Sequence, residues 1–166
     1  MSSESKLSLN GSPQLFERAH AFADAVGARL RAILGEDVEI RPVGATSVPG
    51  CLTKGDVDIV VRTEAARFAS LRDILDAQFD KNLGSPRDEN FASYADDSQE
   101  FPLGIQLVVT GTQHDNFHSF THRLRQSDEL LASYNDLKRS FSGSEMEAYR
   151  KAKAEFIGQH LGETEK

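Results

Sequence analysis

The chain has 166 residues, 39% of them hydrophobic and 27% charged, the size and balance of a globular protein with a core of its own. Its 26 acidic against 19 basic residues leave a formal charge of −7, which argues against an extensive nucleic-acid surface or an anionic membrane as partner. The single cysteine, Cys51, excludes an internal disulfide framework, and no apolar run approaches the roughly 20 residues of a membrane span. The opening MSSESKLSLNGS lacks a signal-peptide core, so a cytoplasmic protein is expected.

Residues 1–11 are polar and read as a flexible N-terminus, residues 12–161 as one domain, and residues 162–166 as a flexible tail. Ser12-Pro13 has the form of an N-cap followed by proline at the first helical position. Leu15, Phe16, Ala19, Phe22, Ala23, Val26, Leu30 and Ile33 then recur at helical spacing up to the stop at Gly35. Val38 to Val43 reads as a strand and Val57 to Arg62 as a second, more buried one. A helix is expected over Thr63 to Asp80, with Phe68, Leu71, Ile74, Leu75 and Phe79 as its stripe. Phe91 to Tyr94 and Leu103 to Val109 read as further strands, separated by the acidic turn Asp96 to Glu100. From His114 onward the pattern is helical, with breaks near Ser127-Asp128 and at Ser142-Gly143-Ser144, where Ser144 and Glu147 have capping-box spacing. This order predicts an α+β fold: a small mixed sheet with an N-terminal helix and C-terminal helices packed on it.

The densest chemistry lies between the first two strands. Gly44-Ala45-Thr46-Ser47 is a glycine turn rich in hydroxyls, and such a turn suits phosphate oxygens. Asp56 and Asp58 follow at i and i+2, on one side of a strand and roughly 6.5 Å apart along it. Paired carboxylates suit a hard divalent cation that shares the phosphates of its substrate. A P-loop is excluded, because Gly50-Cys51-Leu52 stands where Gly-Lys-Ser/Thr would be needed. The plainer alternative makes Val48-Pro49-Gly50 a turn and the aspartates edge charges. Against it, Asp58 leads directly into Ile59-Val60-Val61, and an acid entering a core needs a partner.

Two lysines sit on core-facing stripes. Lys153 falls among Tyr149, Phe156 and Ile157, and Lys138 lies between Tyr134 and Phe141 at helical spacing. Each either snorkels to solvent or presents its amine to an anion. Both together, in an acidic protein, favour a phosphate-directed pair that closes the pocket. Lys54 and Arg62 read as surface charges, and Cys51 as a small buried filler. His114, His118 and His122 would share a face of a continuous helix, where neighbouring members could bind Zn²⁺ or form a plain histidine face. Without a cysteine or acidic ligand beside them, the plain face is the better reading.

GATSVPGCLTKGDVDI resembles the signature of the GrpB-like family, and Tyr134, Leu137 and Lys138 match its Tyr-x-x-Leu-Lys. Tyr149, Ala152, Lys153, Phe156 and Ile157 match its Tyr-x-x-Ala-Lys-x-x-Phe-Ile. That resemblance implies the nucleotidyltransferase superfamily fold. It also implies a nucleoside triphosphate facing Gly44 and Ser47, and Mg²⁺ (or Mn²⁺) on Asp58 with Asp56. On this basis the implied activity is transfer of a nucleotidyl group to an unknown acceptor. The rival is a non-catalytic module for a nucleotide or another phosphorylated small molecule. Several positions depart from the pattern: Ala45 for serine, Gly55 for proline, Phe120-Thr121-His122 for Phe-Arg-Asp, and Gln106 where a third acid is expected. These departures bear on catalysis more than on fold.

Overall fold

In the computed structural model, residues 9–162 are described. The expected flexible ends, 1–11 and 162–166, fall mostly outside that range. Within it, Asn10 pairs with Thr53 through two backbone hydrogen bonds of 2.8 and 2.9 Å.

Helix α1 (Pro13–Leu34) starts as its cap signal predicts: the Ser12 hydroxyl accepts from the Leu15 amide, and Gly35 ends the helix. Strand β1 (Glu39–Val43) follows, then a single 3₁₀ turn (Ala45–Ser47), strand β2 (Val57–Thr63) and helix α2 (Ala65–Gln78). Strands β3 (Phe91–Asp96) and β4 (Leu103–Val109) precede three helices, α3 (Phe117–Gln126), α4 (Asp128–Ser140) and α5 (Met146–Gly162). The sheet order is β1-β2-β4-β3, with β2 and β4 parallel and both outer pairs antiparallel. This is the expected α+β architecture, a mixed sheet with helices on it.

Two boundaries differ from the sequence expectation for tertiary reasons. Thr63 belongs to β2 rather than to the following helix, because its backbone pairs with Val109 of the parallel neighbour and accepts from Thr110. Helix α3 begins at Phe117, so His114 stays in the preceding turn, where its ring lies 4.6 Å from that of Phe91. The three histidines therefore do not share one helix; His118 lies 3.6 Å from Asp115 and His122 is exposed. Helix α5 starts at Met146, two residues after Ser144.

Strand alternation sorts side chains to two faces. Val57, Ile59 and Val61 of β2, with Ile105 and Leu107 of β4, bury against Leu30 of α1 and Phe68, Leu71 and Leu75 of α2 in the larger core. The opposite face carries Val43, Val60, Phe91 and Val108, packed by Phe117. A separate core joins the turn between β1 and β2 to the last three helices through Val48, Cys51, Phe120, Leu124, Leu130 and Tyr134. The site lies where these two smaller cores meet. No helix among the described residues is long and apolar enough to cross a membrane.

Candidate functional site

Asp58 stands second in β2, between Val43 of β1 and Gly104 of β4, on the face opposite the main core. Two glycines make room for its carboxylate. A Cβ at Gly44 would lie 2.8 Å from Asp58 Oδ2, and one at Gly104 would lie 2.6 Å from Oδ1. Gly44 also has φ +78°, which a residue with a Cβ adopts only with strain. Gln106 lies two residues along β4 on the same face, beside Asp58, and its Oε1 is buried with no hydrogen-bond partner among the described residues.

A cavity of about 170 Å³ is lined by Ala45, Thr53, Lys54, Asp56, Asp58, Lys138, Tyr149 and Lys153. Both aspartates thus border one space, together with lysines from α4 and α5. Burial pushes the Asp58 carboxyl up to about 6, and Asp56 adds to the rise. Lys153 and Lys54 oppose it. Asp56 itself pairs with Lys54 at 3.0 Å, so Lys54 is tied to the motif rather than standing as a free surface charge. Lys153 is half-buried and makes no ion pair or hydrogen bond among the described residues. It also borders a second, adjoining cavity.

That second cavity, about 220 Å³, shares Ala45, Asp58 and Lys153 with the first and is otherwise mainly apolar. Phe117, Phe120 and Leu124 of α3, Tyr134 of α4 and Ile157 of α5 form its walls, with Gln106, Asn116 and Thr121 as its other polar side chains. An acidic and cationic chamber therefore opens beside an aromatic one, and the Asp58 carboxylate stands between them.

The remaining predicted binding residues face inward on the turn. Thr46 donates its hydroxyl to the Asp56 carbonyl at 2.9 Å, and Ser47 donates to the Gly44 carbonyl at 2.6 Å. The Gly44 amide donates to Thr121 Oγ1 at 3.2 Å. Thr46 and Ser47 border a third cavity of about 380 Å³ toward α1, away from the lysines. Lys138 is buried; its ammonium donates to the Leu52 carbonyl, lies 3.6 Å from Cys51 Sγ and sits over the Tyr134 ring. Burial lowers its pKa to about 8. Cys51 is wholly buried, as a small filler would be. Arg62 is not a loose surface charge: it grips Asp115 with two bonds of 2.7 Å and Glu39 with one of 2.6 Å, at the other end of β2.

Sequence reasoning missed five contributing residues. Gly104 makes room for Asp58 across the sheet; a glycine inside an apolar strand is the signal that could have found it. Thr121 holds Gly44 in place. Asn135 accepts from the Leu52 amide at 2.8 Å and donates to the Gly50 carbonyl at 2.9 Å, fixing the turn to α4. Its place four residues after Leu131 and three before Lys138, at helical spacing, is the signal that could have found it. Phe117 and Phe120, which wall the aromatic chamber, carried no signal beyond core packing.

The four-stranded mixed sheet with its packed helices is a nucleotidyltransferase-like fold. The fold resembles that of the Cid1 poly(U) polymerase solved with MgGTP bound, at a TM-score of 0.55 and 17% identity. The match covers 78% of this chain and 42% of Cid1, so this chain spans less than half of that enzyme. The conserved protein GrpB from Enterococcus faecalis matches at a TM-score of 0.60 and 15% identity, over 93% of this chain and 99% of that one. The GrpB protein family profile matches residues 17–163, and the chain belongs to that family. A UPF0157 protein of Vibrio cholerae is 31% identical over 133 residues, 80% of this chain and 70% of that one.

Proposed function

We propose that this protein binds a nucleoside triphosphate in the paired chambers, its phosphates in the polar one and its nucleoside in the aromatic one. The observation that carries this reading is the convergence of Asp56, Asp58 and Lys153 on one cavity that adjoins a second, aromatic one. Lys153, which makes no hydrogen bond or ion pair among the described residues, presents a mobile positive charge suited to phosphate oxygens. Lys138, Thr46 and Ser47 act on the ligand through the shape of the turn, since their polar atoms are already engaged. The Cid1 structures hold nucleotides, MgGTP in one and a UTP analogue in another, which lends support by likeness of fold.

Mg²⁺ (or Mn²⁺) fits this site as a shared guest rather than a resident ion. No group of three or more His, Cys, Asp or Glu among the described residues could hold a metal. Two carboxylates bordering one cavity suffice for a cation that takes the rest of its shell from phosphate and water. Asp56 and Asp58 would hold it. When bound, it would neutralise charge on the phosphates and favour an in-line displacement at phosphorus. The chain's own residues bind and orient: Lys153 draws in the phosphates, and Gly44 and Gly104 leave the Asp58 carboxylate room beside them. With a hydroxyl acceptor the reaction class is nucleotidyl transfer. A second reading, a non-catalytic nucleotide-binding module, is favoured by Gln106, a neutral amide beside Asp58 that cannot take a proton from an attacking hydroxyl.

Thermal shift with a nucleotide panel, with and without Mg²⁺ or Mn²⁺, tests the binding. Nucleotide should raise the melting temperature in a metal-dependent way that Asp58→Asn abolishes; no such shift with any nucleotide overturns the reading. Release of pyrophosphate then separates transferase from module.

A further inference from the structure

Gln106, Asn116 and Thr121 line the aromatic chamber beside Asp58 and Lys153, and of these three only Asn116 is exposed. Thr121 accepts from the Gly44 amide and donates to the Phe117 carbonyl at 3.0 Å. Gln106 is turned toward Asp58, with its Oε1 sealed from solvent. Asn116 is different. It occupies the N-cap position of α3, where an asparagine side chain ordinarily accepts an amide of the first turn, yet it makes no such bond. Its side chain is exposed at the chamber wall and makes no hydrogen bond to any described residue. An unengaged amide offers a donor and an acceptor side by side. In a mainly apolar pocket, a few such groups decide which ligand is accepted.

We propose that Asn116 selects the nucleoside: its amide hydrogen-bonds the polar edge of the sugar or base lodged in the aromatic chamber. This rests on the nucleotide reading above, and it adds that affinity comes from the nucleoside as well as from the phosphates. The two chambers meet at Ala45, Asp58 and Lys153, so a ligand whose phosphates face Lys153 continues toward Asn116.

Isothermal titration in Mg²⁺ tests this on wild type and Asn116→Ala. The probes are inorganic tripolyphosphate, the four ribonucleoside triphosphates and their 2′-deoxy counterparts. Wild type should bind at least one nucleotide more tightly than tripolyphosphate. Asn116→Ala should weaken that nucleotide about five- to tenfold, the size of one or two hydrogen bonds, and leave tripolyphosphate unchanged. A sugar contact shows as an equal loss for all four ribonucleotides and none for the deoxy forms; a base contact shows as a loss confined to the matching base. Because Asn116 is exposed and does not cap α3, the variant should fold normally. Asn116→Asp, which keeps the shape but loses the donor, is the second variant and should weaken nucleotides likewise. Equal binding of tripolyphosphate and nucleotides by wild type, or a nucleotide preference that survives in both variants, overturns the proposal and leaves the phosphate site standing. No metal-dependent binding of any probe overturns both.

Discussion

Helices α4 and α5 each bring a lysine to the same cavity, and the two lysines end in opposite situations. Lys138 is buried, its ammonium bonded to the Leu52 carbonyl and lodged between Cys51 and the Tyr134 ring. Beside it, Asn135 holds both Gly50 and Leu52, so the α4 side of the site is closed upon itself. Lys153 on α5 is half-buried, makes no hydrogen bond or ion pair among the described residues, and acts on Asp58 through its charge. A lysine on an apolar stripe thus carries two meanings, and the difference lies in whether a backbone carbonyl is within reach. Around Lys138 one is, because the turn between β1 and β2 passes over α4.

Removing the α4 contacts should have the largest effect. Asn135→Ala removes a buried side chain and its two part-buried bonds, to the Leu52 amide and the Gly50 carbonyl, at a cost of about 2–3 kcal/mol. Urea denaturation measures it; a loss below about 0.5 kcal/mol would break the distinction between a structural and a ligand-facing side.

Asp58→Asn comes next and acts in the opposite direction on stability. Burial raises the native carboxyl from 3.8 to about 6, so the folded protein holds this proton more tightly than the unfolded chain does. Stability is then highest below the unfolded value and falls as pH rises through the native one. In metal-free protein, Asp58→Asn should be the more stable form above pH 6, by about 2 kcal/mol, and should converge with wild type near pH 4. Melting curves from pH 4 to 8 check both sign and window. A constant difference across that range would remove the carboxylate from its crowded setting.

Lys153→Ala should change stability least, by under about 0.5 kcal/mol, because no hydrogen bond or ion pair among the described residues is lost. Its readout is Asp58: without the lysine's charge the carboxyl should titrate still higher, visible as a displaced pH profile in carbon NMR of the labelled aspartate. An unchanged Asp58 titration would mean that Lys153 faces bulk solvent. In the same variant, Mg²⁺-dependent nucleotide binding should weaken about tenfold, the scale of one charge-assisted contact. Lys138→Met, matched to it, should leave nucleotide affinity within about twofold while costing stability through the orphaned Leu52 carbonyl.

Much of the fold was legible because its signals are local. The cap at Ser12, the stop at Gly35 and the break at Ser127 each concern bonds made within a few residues, and the buried run after Asp58 shows in the composition of neighbouring residues. Where the reading slipped, the cause was distant. Thr63 extends β2 because Val109, far along the chain, supplies its partner. The site was legible in composition rather than in wiring. Asp56, Asp58, Lys138 and Lys153 do border one cavity, yet nothing in their spacing separates the engaged lysine from the unbonded one.

By itself, then, the sequence determined the elements, the acid pair on one side of a strand, and the residues that carry the GrpB resemblance. Periodicity and turn chemistry depend on neighbours in the chain, so one dimension suffices to read them. Only the tertiary structure decided which polar groups remain unpaired. Thr46 and Ser47 turn inward to backbone carbonyls, Lys138 is captured by Leu52, and Lys153 and Asn116 are left facing the chambers. A hydrogen bond needs its partner within about 3 Å, and whether one arrives there is settled by packing between segments distant in sequence.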